Sequence, residues 1–151
     1  MSDLRTSVIY KAIAILLCIV LVIPTSVCAV EPRASYYLNS YTSYICHMGG
    51  GDLEIWYRVT GTGTIADIGI LSIQLFESTD QVNWTRVAAF SHNNHEDMLV
   101  HDTWHHMSHV DYEGTLGKYY RAYVCIWGGD GTNGDARYFW TDIEYASPLN
   151  P

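Results

Sequence analysis

"LEIWYRVT", residues 53–60, divides its side chains by strict alternation. Leu53, Ile55, Tyr57 and Val59 fall on one side of an extended chain, and Glu54, Trp56, Arg58 and Thr60 on the other. Successive strand residues point to opposite faces, so this segment reads as a strand with one face turned to a core. Runs of the same kind follow at short intervals. "YYLNSYTSYICH" (36–47) precedes it, and "GILSIQLFES" (69–78) places Leu71, Ile73 and Leu75 together. "WTRVAAF" (84–90), "HVDYE" (109–113), "KYYRAYVCIW" (118–127) and "RYFWTDI" (137–143) continue the series. Turn signals separate them: "GGG" at 49–51, "TGTGT" at 60–64, "EG" at 113–114 and "GGDGTNGD" at 128–135. About seven short strands at such spacing predict an all-β domain, a single antiparallel β-sandwich of immunoglobulin- or fibronectin-like topology. Tyr123 stands two residues before Cys125, the spacing of the tyrosine corner in such sandwiches.

The domain is expected over residues 35–145, with a flexible start at 30–34 and a flexible tail at 146–151. The first 29 residues belong to something else. Arg5 and Lys11 accompany a short polar start, "AIAILLCIVLVI" (12–23) is an unbroken apolar run, and Pro24 ends it. "VCA" (27–29) then supplies small residues for a cut after Ala29, the layout of a cleaved secretory signal helix. The run is shorter than the roughly 20 residues a spanning helix needs, so no membrane association is expected after cleavage. The protein is expected to be secreted.

Loss of Arg5, Lys11 and Asp3 with the signal takes the net charge from −8 to −9. Phosphate binding is carried by Lys and Arg, so so acidic a chain argues against nucleic acid and anionic membranes. Cys18 and Cys28 leave as well, and Cys46 and Cys125 remain. In an exported protein such a pair reads first as a disulfide, here closing a loop of about 80 residues.

Several motifs reduce to structure. "STDQVNW" (78–84) resembles the S-x-D-x-G-x-x-W Asp-box with Val82 at the glycine position, a pattern that braces a β-hairpin. "GDGTNG" (129–134) has the letters of a dinucleotide fingerprint but leads into a strand rather than the required helix. It reads as a hairpin loop, with Asp130, Asn133 and Asp135 as candidate calcium donors. "NWT" (83–85) is a glycosylation sequon, meaningful only in a eukaryotic source. "HEDML" carries Leu99 where a metalloprotease needs its second histidine.

Two features point to binding. Residues 91–110, "SHNNHEDMLVHDTWHHMSHV", hold six of the seven histidines and read as a long polar loop rejoining a strand at His109. His92, His106 and His109, with Asp111 as an alternative partner, are the candidate metal (zinc) ligands within it. Exposed histidines alone would also make the chain pH-responsive, since imidazole titrates near ~6.5 and protonation would erode the −9 charge. On the strand at 118–127, inward Tyr120, Ala122, Val124 and Ile126 leave Tyr119, Tyr123 and Trp127 outward. Phe139 and Ile143 inward likewise leave Tyr138 and Trp140 outward. If the two strands pair, these five aromatics form one band suited to a glycan or protein ligand, unless a loop or partner covers it.

"PRASYYLNSY", "VTGTGT", "IQLFESTD", "MLVHDTWHHMSHVDYEGTLGKYYRAYVCIWGG" and "GDARYFWT" together resemble a family of small secreted proteins of Gram-positive gut bacteria with no assigned function. The resemblance spans the mature chain and implies export and a β-rich domain, without an activity. It also implies histidine at the positions of His92, His106 and His109, and other residues at those of His95, His101 and His105.

The leading expectation is therefore an exported, non-enzymatic domain binding a glycan or protein through strand aromatics. The alternatives are a metal-binding or pH-responsive protein using the loop histidines, and a self-associating structural or antimicrobial-like protein. An enzyme comes last, because neither a nucleophile elbow nor a complete metalloprotease motif is present.

Overall fold

The structure is a computed structural model and describes residues 35–147. The signal segment at 1–29, the start at 30–34 and residues 148–151 of the tail lie outside the described residues. No helix among the described residues is long and apolar enough to cross a membrane. The strands are β1 (Leu38–Gly49), β2 (Asp52–Ser78), β3 (Thr85–Ser91), β4 (Leu99–Glu113), β5 (Tyr119–Gly129), β6 (Gly134–Trp140) and β7 (Glu144–Tyr145). One turn of 3₁₀ helix, Glu96–Met98, interrupts the β order. The all-β, sandwich-like antiparallel domain expected from the alternation is what the chain forms. The seven strands of the described residues belong to one sheet that curls into a half-barrel.

The curl comes from β2. "LEIWYRVT" and "GILSIQLFES" are two halves of one strand, and "TGTGT" between them is not a chain reversal. The first half pairs with β1 on one edge and β4 on the other. The second half pairs with β5 and β3. Register irregularities fall between Thr60 and Ile65 and between Ile70 and Ser72. Each bulge inserts backbone without a partner, bends the strand and resets which side chains face inward. Leu53, Ile55, Tyr57 and Val59 point to the core, then Ile68 and Ile70, then Ile73 and Leu75. Leu71, which simple alternation assigns to the core, is only half-buried because the second bulge gives its place to Ile70.

The concave face closes on itself through the segment expected to be a loop. β4 begins at Leu99, so most of the histidine-rich stretch is strand. The 3₁₀ turn before it drops Met98, fully buried, against β2. Gly69 makes that approach feasible: its φ is +150°, and a Cβ there would collide with the Met98 carbonyl. Met98 joins Tyr57, Ile68, Ile70, Val124 and Ile126 in a single core.

Tyr120, not Tyr123, performs the corner role. Its fully buried hydroxyl accepts the Thr115 N–H at 2.7 Å and lies 3.2 Å from Glu77 Oε2. Glu77 in turn pairs with Lys118 at 2.8 Å. The start of the tail is also fastened: Ala146 is buried, donates its N–H to Lys118 and accepts from Gly117.

The expected disulfide is absent, and Cys46 and Cys125 are both free thiols. A bridge between layers needs two inward side chains. Here Ile45 holds the inward place beside Cys46, and Val124 and Ile126 hold those beside Cys125. Each cysteine alternates to the other side of its strand. Burial pushes both thiols up.

Two substitutions test this core. Tyr120→Phe leaves the Thr115 N–H without its acceptor and should cost about 1–2 kcal/mol. Met98→Ala should cost about 2–5 kcal/mol by opening a cavity under β2. Urea denaturation midpoints report both, and an unchanged midpoint in either would contradict the packing described.

Candidate functional site

The β5–β6 hairpin sets Tyr123 opposite Trp140, Cys125 opposite Tyr138 and Trp127 opposite Ala136. Tyr120, Ala122, Val124 and Ile126 face the core, as the alternation requires, so the odd-numbered positions of β5 face away from it. Tyr123 stacks nearly parallel to Tyr138, with ring centroids 6.0 Å apart at 21°. Trp140 lies 4.9 Å from Tyr123 and 5.2 Å from Phe76 of β2. Tyr138 is 59% exposed and Trp140 45%. The polar 91–98 segment lies elsewhere, with Met98 in the core.

Arg121 extends the platform. Its guanidinium carbon sits 4.3 Å from the Trp140 ring and 4.2 Å from that of Trp84. A cation between two indoles gains about 0.5–2 kcal/mol per face depending on desolvation. Nε of Arg121 is buried without a hydrogen-bond partner in the protein, so stacking rather than hydrogen bonding fixes this side chain.

Trp84 is delivered by the Asp-box-like turn. Asp80 Oδ1 accepts the N–H groups of Val82 (2.9 Å) and Asn83 (2.8 Å) and the Ser78 hydroxyl (2.9 Å), while Oδ2 accepts Asn83 Nδ2 (2.7 Å). These bonds hold its carboxyl well below the usual carboxylate range. Gln81 takes φ +59°, and its carbonyl accepts the Trp84 indole N–H at 3.1 Å. The turn thus braces the β2–β3 hairpin, as its motif implies, and aims an indole across Arg121.

Of the five aromatics expected in the band, Tyr123, Tyr138 and Trp140 come together. Tyr119 instead meets Tyr145 at 4.8 Å. Trp127 packs over the hairpin glycines, where a Cβ at Gly134 or Gly129 would run into its indole. Phe76, Trp84 and Arg121 were not anticipated. Period-two reading of β5 does place Arg121 with Tyr119 and Tyr123; Phe76 required the β2–β5 register, and Trp84 the β2–β3 hairpin as well.

In the 130–135 loop the acidic donors are occupied by the chain itself. Asp130 accepts the N–H groups of Thr132 and Asn133 and the Tyr37 hydroxyl at 2.7 Å. Those bonds lower its carboxyl to about 2 and raise the Tyr37 phenol to about 12. Asp135 accepts the Ser35 hydroxyl and the N–H groups of Tyr36 and Tyr37. The calcium-type donors therefore anchor the entry to β1.

The histidines do not converge. Three residues apart on one strand, His106 and His109 point to opposite faces of β4. His106 lies over Tyr57, with ring centroids 5.6 Å apart, and its Nε2–H donates to the Asp97 carbonyl at 2.7 Å. His109 lies on the outer face against Trp56 at 4.5 Å. His92 lines a separate surface hollow with Glu96, Asp67 and His101, where His101 Nδ1 meets Asp67 Oδ1 at 2.6 Å. A shared ion held by His92, His106 and His109 is incompatible with these placements. What does gather is Glu54, His109 and Asp111, whose donor atoms lie within 4.8 Å of one another.

No family model, curated protein or solved structure matches this chain.

Burial holds the His106 imidazole below its ordinary value, with His105 adding to the effect and the Asp97 contacts opposing it. The unfolded chain then takes up the proton first. Stability is full above the unfolded value of about 6.5 and falls as acidification carries the protein from there towards the depressed folded value. Thermal melts from pH 8 to 5 should show a falling Tm in the wild type and a shallower fall in His106→Asn. Equal slopes would remove His106 from the pH response.

Proposed function

We propose that this chain is an exported, non-enzymatic domain that binds carbohydrate through the platform of Tyr123, Tyr138 and Trp140. The observation that carries this reading is that Tyr138 and Trp140 are exposed while being fixed by stacking on Tyr123, Phe76 and Arg121. Flat rings present apolar faces to the C–H groups of a pyranose and lose little conformational freedom on binding. Contiguous exposed aromatics of this kind are uncommon on a surface with no partner. The apolar run at 12–23 followed by "VCA" supports export, and the −8 charge of the full chain favours a neutral sugar over a phosphate-rich partner.

A glycan array read with purified protein tests the proposal. Trp140→Ala and Tyr138→Ala should each weaken binding at least tenfold, equivalent to about 1.4 kcal/mol. Trp104→Ala, at an indole on β4 outside the platform that is more exposed than Trp140, should leave binding intact. Unchanged binding in both platform variants, or equal loss in Trp104→Ala, would refute it.

A further inference from the structure

We infer that Glu54, His109 and Asp111, on the outer face of the β2–β4 pair, form a site for a divalent first-row transition ion such as zinc. Glu54 and Asp111 are directly opposite in the register, and Asp52 and Glu113 repeat the arrangement one rung further along that face. Like charges facing each other across an antiparallel pair are destabilising, and a cation between them reverses the sign. The basic residue of the same face, Arg58, turns its guanidinium towards Met107 Sδ at 3.6 Å.

The donor set is more specific than a patch of acids. His109 Nε2 stands 3.6 Å from Asp111 Oδ1, and all three donors fall within 4.8 Å of one another. Two ligands on one zinc ion lie about 3.3 Å apart for bonds of roughly 2.0–2.1 Å, so small side-chain rotations complete the geometry. One indole orients two of the ligands. Trp56 donates its Nε1–H to Glu54 Oε2 at 2.7 Å and lies against the His109 ring at 4.5 Å. Support of this kind from behind the ligands sharpens affinity in protein metal sites. A cleft of about 400 Å³ adjoins Glu54 and Asp111, lined also by Asp52, Glu113, Met48, Leu53 and Tyr112, so solvent reaches both carboxylates. An imidazole among the donors favours zinc-type ions over calcium, which prefers oxygen throughout.

Calorimetric titration with zinc chloride and with calcium chloride, together with thermal melts, tests the site in the purified chain. One zinc should bind per chain and raise the Tm. His109→Ala and Asp111→Asn should each weaken zinc binding at least tenfold and abolish the Tm rise. His105→Ala should bind as the wild type does, which separates the site from general attraction of zinc to histidines. Metal-free Tm values within a few degrees of wild type, expected for outward-facing positions, show that the variants fold. The inference is overturned by absent zinc binding in the wild type, by equal loss in His105→Ala, or by calcium binding as tightly as zinc with no effect of His109→Ala.

Discussion

Everything in this domain depends on β2 running unbroken through both halves of the sheet while its inward face changes register twice. A strand of 27 residues would otherwise carry the two halves apart. The bulge after Thr60 and the one after Ile70 bend it instead, so that Leu53, Ile55 and Tyr57 face the same enclosed space as Ile73 and Leu75. Gly69, between the bulges, is where the 91–98 segment presses its backbone onto the strand and delivers Met98 to the middle of the core. A side chain at that position would hold the cover off and leave the concave face open. The bend and the cover are therefore coupled: one shapes the cavity, and the other fills it.

The same bend partitions the convex side into two chemically different surfaces. Over the first half of β2 lie the facing pairs Glu54–Asp111 and Asp52–Glu113, with His109 alongside. Over the second half lie Phe76, Arg121, Tyr123, Tyr138 and Trp140, none of them acidic. Indoles organise both places, though differently. Trp56 orients a carboxylate and an imidazole, whereas Trp84 and Trp140 enclose a guanidinium. Carbohydrate binding on the second surface and ion binding on the first would be independent in such an arrangement, since they share no side chain.

Legibility of the chain followed the range of the interactions involved. Strand identity, the hairpins at 49–51 and 129–134, the bracing role of Asp80 and the inward row from Tyr120 to Ile126 are local properties, and the residues display them. Leu71 was misplaced because a bulge cannot be read from alternation. Its signature is a backbone irregularity that depends on the partner strand. Residues 91–108 suggested a loop because polar side chains dominate, yet an edge-facing strand tolerates them, and pairing with β2 overrides composition. The tyrosine–cysteine spacing drew attention to Tyr123, whereas the buried hydroxyl that fastens the corner is that of Tyr120.

By itself the sequence determined an all-β chain, its turns other than the one expected at 60–64, the two-faced character of β5 and the presence of outward aromatics, because period-two patterning and turn chemistry act over a few residues. Only the tertiary structure decided which side chains meet. It divided the five expected aromatics, drew in Phe76, Trp84 and Arg121, left both thiols free, and gathered His109 with Glu54 and Asp111 rather than with His92 and His106. Those outcomes rest on register across strands far apart in the chain, and on bulges that shift the inward face by one residue. A shift of one residue sends every following side chain to the opposite face of the sheet.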